Sequence, residues 1–436
     1  MSVVKRLASI AAFALLAAYA VFLVVTAVSP LRFESDGRWF GPPCDFSLRM
    51  SEIKCLKTGT DPFDVWHGDV RLKPFRPNFV GTADNLAEEE YPREEGYVEF
   101  VNAYVPWEYT AMLPLSFLPR RIAWAMYFVF MLACLAVLFE IGRRHGARIA
   151  GACAGAIVGA TAILAAWYPA WSNVCIGNFS VVVVAAAALM AVCLDRGRDV
   201  LAGICWAVAM LKPQLGLAFA VPLLMRRKFL TCAVAAGTCL LASVPAAAIG
   251  HATVLKMILE APSANTAYFH GCGTMPYAIA ALIPRETSVL AGLVLGALCC
   301  FFMTRSLGRR RDWLVYLMPA AVCAMSWTYA SSYGHFAGWF FFLILFAELA
   351  KNPKSRFLRI LLVPSLLSVS RISLLVQRVA VAFGSRFAAS ETVGWNVDSF
   401  NSMLDLVLAA ALCWWLGRNQ AESIGAENPS SARTRS

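Results

Sequence analysis

Charge is what this chain has least of. Asp, Glu, Lys and Arg supply 15% of 436 residues, against 59% apolar residues. About a quarter of an ordinary soluble domain is charged, so that class is excluded, and the strong apolar patterning excludes a disordered chain. Histidine is scarce too, with five in all. There is no Cys-x-x-Cys pair and no His/Cys cluster at ligand spacing, so neither a structural zinc site nor any other metal is expected. No Asp-x-Asp motif stands in a nucleotide-binding context and no Gly-rich phosphate loop occurs, which argues against a nucleotide-sugar site and against a cofactor. No repeat of fixed period is present, and no polar module is long enough to fold alone.

What is present is a series of uncharged runs, at 7–31, 122–139, 149–194, 229–255, 287–304 and 313–347, with weaker ones near 357–377 and 399–417. A helix that crosses a bilayer needs about 20 mostly apolar residues, so these runs give about 10–12 passes, with two in the longest run. The expected fold is an all-α polytopic integral membrane protein. The first run follows Lys5 and Arg6. It is either a cleaved signal peptide or a retained helix; Ala27-Val28-Ser29-Pro30 is a poor cleavage context, which favours the helix.

The net charge is +11, but the basic residues stand in short clusters between apolar runs instead of alternating with aromatics, so no nucleic-acid partner is expected. They read as topology signals. Lys5/Arg6, Arg143/Arg144/Arg148, Arg196/Arg198, Arg226/Arg227/Lys228, Arg305/Arg309/Arg310/Arg311 and Lys351/Lys354/Arg356/Arg359 are expected on the cytoplasmic side, with both termini. Loops near 169–177 and 329–335 contain neither Lys nor Arg. The first extracytoplasmic loop covers about 32–121 and the second about 250–286. Residues 1–418 form one membrane domain, and 419–436 a disordered cytoplasmic tail. Of the 14 cysteines, most lie in apolar runs as small core residues; a Cys44–Cys55 disulfide on the outer side is left open.

Between Asp195-Arg-Gly-Arg-Asp199 and Arg226-Arg-Lys228 the chain is too short for two full passes, because twelve helical residues reach only about 18 Å. Two readings stand: a single tilted pass, or two short helices broken at Lys212-Pro213, where proline removes a backbone donor and pushes the preceding residue out of helical geometry. The broken pair keeps the basic clusters on one side. It also places Lys212 inside the bilayer, where a lysine needs a polar cavity, or else snorkels to the interface.

The first loop carries turn formers and one helix-compatible stretch, Phe46 to Leu56. Phe46, Met50, Ile53 and Leu56 fall at helical spacing opposite polar residues, the pattern of an amphipathic helix at the membrane surface. Asp45 immediately precedes it, in position to be the N-cap. The run Asp45-Phe46…Glu52…Leu56…Gly59-Thr60-Asp61-Pro62-Phe63 resembles the first extracytoplasmic loop of glycosyltransferase family 87, in the GT-C superfamily of polyprenyl-phosphate-sugar-dependent transferases. Further stretches agree in order: Tyr104-Val105-Pro106 with Leu113-Pro114…Leu118-Pro119, Gly177-Asn178-Phe179, Ala202-Gly203, Leu211-Lys212-Pro213-Gln214, and Ser332-Tyr333-Gly334-His335-Phe336. Val105, Asn178 and Tyr333 stand where the family pattern has Pro, Gln and Trp, and the acidic insertion at 70–99 lengthens the loop.

The resemblance implies a GT-C-like fold in a bacterial inner membrane. It implies transfer of a hexose, commonly mannose, from a polyprenyl-phosphate donor to a lipid or glycan acceptor on the extracytoplasmic side, by an inverting displacement. Asp45 matches the catalytic aspartate and is expected to take the acceptor proton; Asp36, Glu52, Asp61 and Asp64 are alternatives, with Asp61 expected to serve its own Asp-Pro turn. Lys212 and His335 are expected to hold the donor phosphate, and Tyr104, Asn178, Gln214 and Tyr333 to contact substrate; Arg371, which belongs to no matching motif, is a third candidate phosphate ligand because it stands alone in the apolar stretch 360–377. The competing reading is a lipid-linked sugar or solute transporter, since broken helices with an intramembrane lysine also mark transport sites.

Overall fold

The computed structural model describes residues 3–32, 44–67, 104–266, 285–308, 310, 312–326, 334–369 and 404–419. Every regular element among them is helical. Among the described residues three helices are long and apolar enough to cross a membrane: α1 (Val3–Arg32), α5 (Arg120–Ala150) and α12 (Phe229–Ile249). Their outward side chains are apolar and uncovered, among them Ile10 and Val21, Val129 and Phe130, and Leu240 and Leu241. Water would not tolerate so continuous a surface, and lipid is its natural solvent. The first apolar run is helical over Val3–Arg32 and packs along α6 (Ala152–Ala165).

The other apolar runs are cut into shorter pieces than their composition suggests. The run 149–194 becomes α6, α7 (Trp167–Ile176) and α8 (Ser180–Asp195), separated at Gly151, Ala166 and Gly177. Gly151 and Gly177 have φ of 90° and 69°, backbone that only glycine adopts without strain.

The segment after α8 is a broken hairpin. Helix α9 (Asp199–Ala209) stops before Lys212, whose φ of −125° and ψ of 84° are extended, and Pro213 opens α10 (Pro213–Gly216). Proline forces this break, because the residue before it is pushed out of the α region. A short 3₁₀ turn and α11 (Ala220–Met225) then lead back. The Lys228 ammonium lies 2.8 Å from the Asp199 carboxylate, which closes the two feet of the hairpin. At the tip the Trp206 indole donates to the Gly216 carbonyl at 2.8 Å, and a Cβ on Gly216 would lie 2.5 Å from the Ala209 carbonyl oxygen. A single tilted pass is excluded by these contacts.

Basic clusters distant in sequence meet in one layer at the feet of this hairpin. Arg226 donates to the Gly308 and Arg310 carbonyls, the Trp313 amide donates to Asp195, His145 faces Asp312 at 3.3 Å, and Arg310 donates to the Leu416 carbonyl. The other end of the bundle holds α2 (Cys44–Lys57), α3 (Pro62–His67), α4 (Pro106–Met112) and α13 (Val254–Thr266). Helix α8 reaches from one layer to the other, and its 16 residues span roughly 24 Å.

The structure adds to one expectation about the first loop and answers a question that was left open. Helix α2 does bury Phe46, Met50, Ile53 and Leu56, but Arg49 and Glu52 are buried too, at 2% and 0% exposure, so those polar residues meet protein. Cys55 is a free, buried thiol. Cys44 opens the same helix, so eleven residues put the two backbones ~16 Å apart, well beyond the reach of a disulfide. Burial, with the nearby Glu52 charge, pushes the Cys55 thiol up to about 12.

Asp61 fulfils its turn role: its Oδ1 accepts from the Phe63 amide at 3.0 Å. Lys256 of α13 then ties this turn down through ion pairs to Asp61, at 3.0 Å, and to Asp64. Reporter fusions after Arg198 and after Lys228 should report the same side of the membrane; opposite sides would refute the hairpin.

Candidate functional site

The sequence-identified aspartate and lysine meet at the hairpin tip, joined by one side chain. Asn178 donates through its amide nitrogen to Asp45 Oδ2 at 2.6 Å and accepts through Oδ1 from Lys212 Nζ at 2.9 Å. Lys212 Nζ also donates to Ser180 Oγ at 2.9 Å. The two charges fix the amide's orientation, since only its oxygen can face an ammonium and only its nitrogen a carboxylate. Ser180, which opens α8, closes the network by donating from its amide and its hydroxyl to Asn178 Oδ1.

Local sequence explains how each of these groups is placed. Gly177 ends α7 in the left-handed conformation, and a Cβ there would sit 2.7 Å from Phe46 Cβ. Its hydrogen lets α2 come against the α7–α8 turn and sets Asp45 beside Asn178. Phe46, next in sequence, anchors α2 against the Trp124 and Tyr127 rings at centroid distances of 5.4 and 5.5 Å. Asp45 therefore lies in the first turn of α2 instead of being its N-cap; a carboxylate there is favoured by the helix dipole. Lys212 is carried into the protein by the proline break and is only 2% exposed. The Met210 carbonyl, left without a helical partner at the break, accepts from the Trp107 indole of α4 at 2.8 Å, which docks α4 on the tip.

These elements line a small cleft with Asp45, Tyr104, Asn178 and Lys212, backed by Gly177, Phe179 and Leu211. Two further residues line it that the motif reading did not single out, Arg49 and Glu108. The Arg49 guanidinium pairs with Glu52, lies 3.2 Å from Glu108 Oε1 and stacks 3.3 Å above the Tyr104 ring. Burial works against the Arg49 charge, and Glu52 and Glu108 more than offset it, so it is held ionised. Burial pushes the Glu108 carboxyl well above the usual range; Arg49 opposes this and Glu52 adds to it. The sequence signal for Arg49 and Glu108 was their position, one turn along α2 from Asp45 and two residues after Pro106. Neither reads as functional until α2 and α4 are packed together.

The other candidates are placed elsewhere or not described. His335, in a 3₁₀ turn at Gly334–Gly338, is buried with Nδ1 at 3.6 Å from Asp405 Oδ2 and does not line the cleft. That turn packs on α7 and α8, the helices flanking Asn178. Gln214 is half-buried in α10. Tyr333, Arg371 and Asp36 lie outside the described residues. Of the alternative carboxylates, Glu52 is taken by Arg49, and Asp61 and Asp64 by Lys256.

The bridge through Asn178 is open to a direct test. Hydrogen bonds to charged groups are worth about 1.5–3 kcal/mol each, and Asn178→Leu removes one to each charge. Its thermal unfolding in detergent should fall by several degrees, with Asn178→Gln, the residue of the family pattern, losing less. Equal stability of Asn178→Leu and wild type would mean that the network is not holding the hairpin tip.

No curated protein and no solved structure matches the chain. Residues 102–270 match the model of glycosyltransferase family 87, a stretch that carries Tyr104, Glu108, Asn178, Lys212 and Gln214. This match, over 169 of the 436 residues, makes that stretch similar to glycosyltransferase family 87 and supports a glycosyltransferase built of membrane helices.

Proposed function

We propose that the protein transfers a hexose, mannose in the first instance, from a polyprenyl-phosphate donor to a lipid or glycan acceptor at the extracytoplasmic face of a bacterial inner membrane, with inversion. One observation carries this reading: a carboxylate and an ammonium, Asp45 and Lys212, both line one cleft and are joined by a shared amide. Direct displacement at the anomeric carbon needs a base for the acceptor hydroxyl and a cation for the departing phosphate. Asp45 is the base and Lys212 the phosphate ligand. Tyr104 and Asn178 line the same space and contact substrate.

The same proposal sets the chain in the membrane in a GT-C-like arrangement of about 10–12 passes, residues 1–418 forming a single catalytic domain and 419–436 a cytoplasmic tail. The meeting of the basic clusters in one layer supports a cytoplasmic position for that layer. The cleft then opens at the opposite end, where a lipid phosphate emerges from the bilayer. Helix α2 and the docked helix α4 belong to the long first loop and roof the cleft on that side.

The test is transfer from a labelled polyprenyl-phosphate mannose by purified full-length protein with a membrane lipid extract as acceptor. Asp45→Asn should lower kcat by about 10²–10⁴, the usual worth of a positioned base, with little change in donor KM. Lys212→Gln should raise donor KM as well as lowering kcat. Full activity in Asp45→Asn would remove the base assignment, and a wild type that transfers from no lipid-phosphate sugar would favour a transporter of such lipids.

A further inference from the structure

A second carboxyl faces the cleft and has no assigned role. Glu108 is fully buried on α4, its Oε1 is 3.2 Å from Arg49 Nε without hydrogen-bond geometry, and Oε2 has no hydrogen-bond partner among the described residues. A buried carboxylate with so little support costs several kcal/mol, whereas the neutral acid has a proton with nowhere in the protein to go. Its surroundings account for this state. Arg49 is shared with Glu52, Asp45 adds another negative charge, and Lys212 is the second cation. Tyr104 and Tyr109 of its own segment and Tyr127 of α5 are neutral phenols nearby. Helix α12 packs on α4 but contributes no charged side chain, and Lys256 of α13 is engaged by Asp61 and Asp64.

We propose that Glu108 is the general acid of the transfer, giving its proton to the phosphate oxygen of the departing polyprenyl phosphate. The inference rests on the reading of the cleft as a lipid-phosphate sugar site. The acceptor oxygen bonds to the anomeric carbon and its proton passes to Asp45; the bond from that carbon to the phosphate oxygen breaks, the electron pair stays on the oxygen, and the Glu108 proton follows it. The donor is a singly charged phosphodiester, and its product leaves as a singly charged, protonated phosphomonoester. Asp45 becomes neutral as Glu108 becomes an anion beside Arg49, so total charge in the enclosed space does not change. Without the acid, the leaving group would gain a second negative charge in a site already crowded with carboxylates. Re-equilibration of the proton from Asp45 to Glu108 after product release completes the cycle.

The experiment compares wild type, Glu108→Gln and Asp45→Asn as full-length protein in lipid nanodiscs, with labelled polyprenyl-phosphate mannose as the probe. Glu108→Gln keeps shape and hydrogen bonding but has no transferable proton. Its kcat should drop about 10²–10³, within the range for acid–base groups, with donor KM within a few-fold of wild type. Wild-type activity should fall as pH rises through the raised pKa of Glu108, and that alkaline fall should be absent in Glu108→Gln. Infrared difference spectra should show a protonated carboxylic acid in wild type that Glu108→Gln lacks and that disappears in wild type over the same pH range. This last titration needs only the wild type, should the variant not fold. A Glu108→Gln enzyme with wild-type kcat, an unchanged alkaline fall, or no protonated carboxyl in wild type overturns the acid. Absence of transfer by the wild type overturns the transferase reading, and the leaving-group role with it.

Discussion

The structure turns on one amide, Asn178, placed between a carboxylate and an ammonium. Three segments of chain converge on it: the start of α2 with Asp45, the α7–α8 turn with Asn178 itself, and the tip of the broken hairpin with Lys212. A direct Asp–Lys ion pair would have neutralised both charges and closed the space between them. The amide satisfies one hydrogen-bonding position on each and leaves the carboxylate and the ammonium side by side, both lining the cleft. A site that must take a proton on one side and hold an anion on the other needs this separation.

Keeping these charges inside a protein that is otherwise apolar imposes the remaining architecture. Lys212 is deep because Pro213 breaks the helix, and the break frees backbone groups that water cannot reach. They are met by indoles, Trp107 for the Met210 carbonyl and Trp206 for the Gly216 carbonyl. Trp107 lies next to Glu108, so the same contact that caps the broken helix delivers the second carboxyl to the cleft. Arg49 then holds Glu52 and Glu108 together over the Tyr104 ring, which links α2 to α4 and completes the roof. At the far end the Asp199–Lys228 pair closes the hairpin's feet, so the tip is held from both ends.

Much of this was legible in residue order. The apolar runs announced a membrane helical protein. The crowding of Asp199 and Lys228 around a Lys-Pro pair announced a broken hairpin, because helix rise per residue is fixed and the segment was too short for two passes. The Asp45, Gly177-Asn178 and Lys212-Pro213 motifs were recognisable because each depends on local chain chemistry. Less visible were the breaks inside 149–194, where Gly151 and Gly177 interrupt a run whose hydropathy is continuous. The helix Phe46–Leu56 was legible in part: its apolar face was read correctly, but polar residues opposite an apolar face look the same in sequence whether they meet water or an ion-pair partner.

The sequence by itself determined that the chain is built of apolar helices, that it breaks at Lys212-Pro213, and that Asp45 and Lys212 are chemically unusual in their settings. These follow from local rules: helix rise, proline geometry and the cost of charge in hydrocarbon. Only the tertiary structure decided that Asn178 joins them, that His335 faces Asp405 instead of the cleft, and that Arg49 and Glu108 belong to the site. Those are contacts between segments about 30 to 160 residues apart, set by how helices pack, and packing depends on the shapes of all the faces at once.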